Sequence, residues 1–141
     1  MPLEFEVLTG DIIGAAIEVH RELGPGFLEK IYENALVLEL RKRDLEHAQQ
    51  WKVPVLYHGV PVGTHVLDLF VAGRIVVEVK NVRNLEDAHS VVVRSYLRAV
   101  GQQHGLLLNF SKAALEAKRV IARGVDVRRS PGFLGSSETS S

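Results

Sequence analysis

Cysteine is absent from all 141 residues, which removes disulfides and thiolate metal sites from consideration. That fits a reducing cytoplasm, and a cytoplasmic location is the expectation. Net charge is missing too, because 17 basic residues balance 17 acidic ones. A chain that grips nucleic acid without regard to sequence usually carries a basic excess. The balance counts against tight sequence-independent DNA binding and leaves room for a local groove. No apolar run approaches a membrane span, so no membrane partner is expected. The start, Met1-Pro2-Leu3-Glu4-Phe5-Glu6, lacks the basic stretch of a signal peptide. Glycine loops of the P-loop or dinucleotide type are absent, Gly24-x-Gly26 being a helix break, and no Ser-His-Asp set stands out. His47, His58, His65 and His104 lack metal-ligand spacing.

What is present suits one domain with a single core: 46% of the residues are apolar. Apolar spacing predicts a helix from Leu8 to about Glu22, with Thr9 or Asp11 able to cap it. After the Gly24-Pro25-Gly26 break comes a second helix, about Leu28 to Arg43, with Leu28, Ile31, Ala35 and Leu38 as its core stripe. Strands follow at Trp51–Tyr57, about Val62–Val71 and Arg74–Lys80. Leu85–Val100 reads as a helix despite the competing strand signal of Val91-Val92-Val93. His104–Phe110 is an apolar strand of the kind covered on both faces, and Lys118–Arg123 adds a short one. Strand, helix, strand over Arg74–Phe110 is a parallel βαβ unit, whereas the earlier strands, joined by short turns, must be antiparallel. The expected fold class is therefore α/β, a mixed sheet flanked by helices, with the domain over 1–128. The serine-rich tail over 129–141 reads as disordered.

The chemistry concentrates in one hairpin. Leu67, Leu69 and Val71 alternate with Asp68 and Phe70, and Ile75, Val77 and Val79 alternate with Val76, Glu78 and Lys80. A three-residue turn at Ala72-Gly73-Arg74 sets Val71 against Ile75, Leu69 against Val77 and Leu67 against Val79, making one apolar face. The same register puts Asp68 across from Glu78. Cross-strand neighbours have Cβ atoms about 5 Å apart, and two carboxylates so placed destabilise a sheet unless a proton or a metal sits between them. A divalent cation accounts for both acids, and Lys80, on the face of Glu78, can then position a nucleophile or steady negative charge. Glu29 lies on a stripe with Tyr32, Leu36 and Leu40 that borders the predicted core stripe, and a third carboxylate would suit Mg²⁺. Plainer readings remain open: an Asp68–Lys80 or Glu78–Lys80 ion pair, with Glu29 favoured only by the helix dipole.

Gly26-Phe27-Leu28-Glu29-Lys30-Ile31-Tyr32, preceded by Val19-His20-Arg21-Glu22-Leu23-Gly24-Pro25 and followed by Asp68-Leu69, Glu78-Val79-Lys80 and Gly105-Leu106-Leu107-Leu108-Asn109-Phe110, resembles the GxxExxY proteins. That family lies within the PD-(D/E)XK nuclease-like superfamily, and the resemblance is colinear from about Leu8 to Arg123. It implies a restriction-endonuclease-like fold and a Mg²⁺- or Mn²⁺-dependent nuclease acting on DNA or RNA phosphodiesters. Glu29, Asp68, Glu78 and the Val79 carbonyl would be metal ligands, and Lys80 would orient water or stabilise developing charge. The alternative is a weak or inactive module of the same fold that binds nucleic acid or a protein. It is motivated by Val92, which stands where relatives tend to carry a glutamine four residues before Tyr96. Tyr96, His89 and His20 are the candidate substrate contacts, against the simpler readings of a helix-start histidine and a packed histidine. Val53-Pro54-Val55-Leu56 reads as an edge able to pair, which makes a homodimer a candidate assembly.

Overall fold

The computed structural model describes residues 4–127; the tail expected over 129–141 lies outside the described residues. Three helices, α1 (Glu4–Leu23), α2 (Glu29–Lys42) and α3 (Asp87–Val100), accompany five strands: β1 (His47–Tyr57), β2 (Val60–Val71), β3 (Ile75–Lys80), β4 (His104–Asn109) and β5 (Glu116–Ile121). The sheet order is β1-β2-β3-β4-β5, antiparallel except where β4 lies parallel to β3. This is the mixed sheet with flanking helices that the strand spacing predicts. Among the described residues no helix is long and apolar enough to cross a membrane.

Alternation along the strands sorts the core into two layers. Leu69, Val71, Ile75, Val77, Leu106 and Leu108 face α1 and α2, packing on Ile12, Ala16, Tyr32 and Leu36. Phe70, Val76 and Leu107 point the other way, onto Val93 and Leu97 of α3. The Val91-Val92-Val93 signal loses because only Val93 is needed inside; Val91 and Val92 stay exposed. Gly105 lets α3 sit close to the sheet: a Cβ there would lie 2.8 Å from Val93 Cγ1 and 3.2 Å from the Val76 carbonyl oxygen. The β1–β2 and β2–β3 turns use paired left-handed residues, His58 and Gly59 in one, Ala72 and Gly73 in the other.

Two helix expectations are corrected. Helix α1 starts before Thr9, so neither Thr9 nor Asp11 caps it; Thr9 is buried mid-helix, donating to the Glu6 carbonyl and accepting from Arg119. In α2 the core stripe is Tyr32, Leu36 and Leu40 with Glu33 and Val37, while Leu28 and Leu38 are 73% and 58% exposed. The helix is turned by about one residue from the apolar stripe. Tyr32 supplies the reason. Its ring stacks on Phe110 at 4.5 Å, and its hydroxyl donates to the Gly24 carbonyl and accepts from the Phe27 amide. One side chain thus covers the β4 end and pins the glycine-rich turn that delivers Glu29.

Candidate active site

The β2–β3 ladder pairs Val71 with Ile75, Phe70 with Val76 and Leu69 with Val77, the register that the alternation demands. One step further, Asp68 comes opposite Glu78, and there side chains replace the ladder. The Val79 amide donates to Asp68 Oδ2 at 3.0 Å, and the Asp68 amide hydrogen-bonds the Glu78 carboxylate. The strands part at this point, so Leu67 does not join Val79 on one apolar face as expected. Leu67 packs in the α3 layer and Val79 in the α1–α2 layer.

Glu78 sits at the bottom of the opening. It is 7% exposed, and its Oε1 has no hydrogen-bond partner. Lys80, at the end of β3, holds its ammonium 3.9 Å from Glu78 Oε2. Burial, then the Asp68 charge, pushes the Glu78 carboxyl up to about 8, with Lys80 offsetting part of the rise. Burial also raises Asp68, with Glu33 and Glu29 adding to it, against the lowering effect of the Val79 amide and of Gln50. Two adjacent carboxyls that resist ionising are a strong local demand for positive charge.

The other expected residues divide. Glu29 opens α2, and its carboxylate accepts from the Asn81 amide at 3.0 Å, while the Asn81 side chain donates to the Phe27 carbonyl. That ties the start of α2 to the residue after Lys80, and the Glu29 charge is felt at both Asp68 and Glu78. Tyr96 lies close enough to Glu78 and Asp68 for their charges to add to the effect of burial in raising its hydroxyl pKa. His89 is occupied at the start of α3, where its Nδ1 accepts from the Glu86 amide at 2.8 Å. His20 is buried against Phe110, its Nε2 2.8 Å from the Lys112 carbonyl oxygen. Val92 is partly exposed on α3.

Two residues at the site were not anticipated. Glu33 is 3% exposed, and its Oε2 gathers Lys30 Nζ (3.1 Å), Gln49 Nε2 (2.7 Å) and Gln50 Nε2 (2.9 Å). Its spacing four residues after Glu29 was the available signal. Gln50 has φ +54 inside β1, a conformation a glutamine rarely adopts, and its amide also reaches Asp68 Oδ1 at 3.5 Å. Nothing in the local sequence announces that. Among the described residues, no group of three or more histidine, cysteine, aspartate or glutamate side chains is gathered tightly enough to hold a metal by itself.

No curated protein and no solved structure matches the chain. The family model of the PD-(D/E)XK nuclease superfamily matches residues 6–120, a stretch that takes in Glu29, the parted hairpin, Lys80 and both core layers. The match covers more than half of the chain, and the chain belongs to the PD-(D/E)XK nuclease superfamily.

Proposed function

We propose that the chain is a Mg²⁺- or Mn²⁺-dependent hydrolase of nucleic-acid phosphodiester bonds, of the GxxExxY type within its superfamily. The observation that carries this reading is the buried Glu78 oxygen with no hydrogen-bond partner, set beside Asp68 in the parted hairpin. The residues fit a hard cation: every donor is an oxygen, and two carboxyls are held above their ordinary pKa, Glu78 by burial and the Asp68 charge, Asp68 by burial and the charges of Glu33 and Glu29. Mg²⁺ commonly uses one or two carboxylates together with waters and substrate phosphates, so a complete protein cage is not required. Asp68 and Glu78 would hold the ion with the Val79 carbonyl. Glu29, engaged with Asn81, would act from the margin. The ion would supply polarisation of a phosphoryl oxygen and a more acidic water. Lys80 orients the attacking water or balances charge building on the phosphate. Tyr96 would contact the substrate from α3.

Calorimetry with Mn²⁺ and Mg²⁺ on wild type and on Asp68→Ala and Glu78→Ala, each checked for folding, tests the site. Binding that disappears in both variants is expected. Unchanged affinity in Glu78→Ala would sink the assignment.

A further inference from the structure

A cleft of about 630 Å³ opens between β1 and α3, on the sheet face opposite the first two helices. That volume is within the range of small-ligand sites. Its walls are largely apolar, with Trp51 on one side and Leu56 towards the hairpin end. The charged residues lining it are Arg98 of α3 and Lys52 of the edge strand β1, both exposed, and no aspartate or glutamate is among the lining residues. At another margin stand His65 and Ser95, with Ser95 Oγ 3.3 Å from His65 Nε2. The His65 ring meets the Tyr96 ring edge-on at 4.6 Å. His65 precedes Asp68 by three residues on β2, a span of about 10 Å along a strand. The cleft and the acid pair are therefore neighbours, with Tyr96 against His65 at the cleft margin and near enough to Glu78 and Asp68 to feel their charges.

An apolar slot with a tryptophan wall and only cations suits a flat, apolar group carried on an anion. Single-stranded nucleic acid has that chemistry: bases stack on aromatic side chains while basic residues track the phosphates. A second copy adding a strand along β1 fits less well. Pro54 lies in that edge strand without an amide hydrogen to donate, and a neutral apolar partner gains nothing from Lys52 and Arg98. We propose that this cleft receives an unstacked base of a single-stranded nucleic acid, with Lys52 and Arg98 against its phosphates and the adjoining backbone led towards Asp68 and Glu78. The last part rests on the nuclease reading above; binding in the cleft can be measured without it.

Trp51 is the chain's one tryptophan, so the cleft contains its own reporter. The full chain in EDTA, without divalent cations, is titrated with fluorescein-labelled oligothymidylate and oligouridylate, and with duplexes containing the same strands. Anisotropy and tryptophan emission are followed together. Single strands are expected to bind more tightly than duplexes and to quench Trp51. Lys52→Ala and Arg98→Ala should each weaken binding and lower the slope of log affinity against log salt by about 0.7. Trp51→Leu, with its fold verified by circular dichroism, should weaken binding about 5- to 150-fold. The proposal is overturned by nucleic acid bound without a change in Trp51 emission, by unchanged affinity in the Lys52→Ala/Arg98→Ala double variant, or by duplex preferred over single strand. Self-association that quenches Trp51 in the absence of nucleic acid would assign the cleft to a second copy and overturn it as well. Absence of any nucleic-acid binding would end the cleft proposal, while the metal calorimetry separately decides the acid site.

Discussion

Replacing Glu78 with glutamine should flatten the pH dependence of stability, and the size of the effect follows from where that carboxyl sits. Its pKa rises from an ordinary 4.5 to about 8, chiefly through burial and then through Asp68. A folded-state value above the unfolded one means that the folded chain holds the proton more tightly. Stability is therefore fully present below about pH 4.5 and is lost as pH climbs towards 8. At 1.36 kcal/mol per unit, the complete transition is worth about 5 kcal/mol, of which about 2–3 kcal/mol falls between pH 5 and 7. That is a large share of a typical domain's 5–15 kcal/mol. Asp68 is raised as well, so the pair titrates together and adds to the loss in the same direction. Glutamine keeps the shape and cannot ionise. Urea unfolding of wild type and Glu78→Gln at pH 5, 7 and 9 should show a stability difference that grows with pH in favour of the variant. A cation binding the ionised pair should reverse the trend in wild type alone, stabilising it more at pH 9 than at pH 5. Parallel profiles for the two proteins would refute the reasoning, since they would mean that Glu78 ionises as if in water.

Leu36→Ala, at a fully buried α2 position, should cost about 2–5 kcal/mol in urea unfolding, whereas Leu38→Ala should stay within about 0.5 kcal/mol. Equal costs would contradict the rotation of that helix. Gly105→Ala should lower stability by about 1–3 kcal/mol, because the added methyl meets Val93 and the Val76 carbonyl; an unchanged melting temperature would show that α3 stands further off. Glu33→Gln removes a charge that raises Asp68, so carbon-detected NMR titration should find the Asp68 pKa lower in the variant, and an unmoved value would separate Glu33 from the site.

The parts of this molecule that were legible are those where a short-range rule leaves a single solution. Strand alternation has period two, so the hairpin from Leu69 to Val77 had one register that kept its apolar face, and the facing acids followed from it. The same rule stopped working one step later. Side-chain hydrogen bonds from the Val79 and Asp68 amides replaced the ladder and sent Leu67 to the other layer, which alternation cannot express. In α2 two apolar stripes lay side by side. The winner was decided by Phe110, a partner far along the chain that stacks on Tyr32, so local periodicity chose Ile31 over Tyr32 with no means of correction. Glu33 and Gln50 escaped for a related reason: an acid and an amide read by type as solvated, and only assembly of the sheet shows each occupying the other's hydrogen bonds beside Asp68. The missing information is therefore concentrated at the acids themselves. A site that parts a hairpin, buries a carboxylate oxygen without a hydrogen-bond partner and holds a glutamine in a left-handed conformation departs from the regularities that make the rest of the chain readable, and such departures are expected where function has been set against stability.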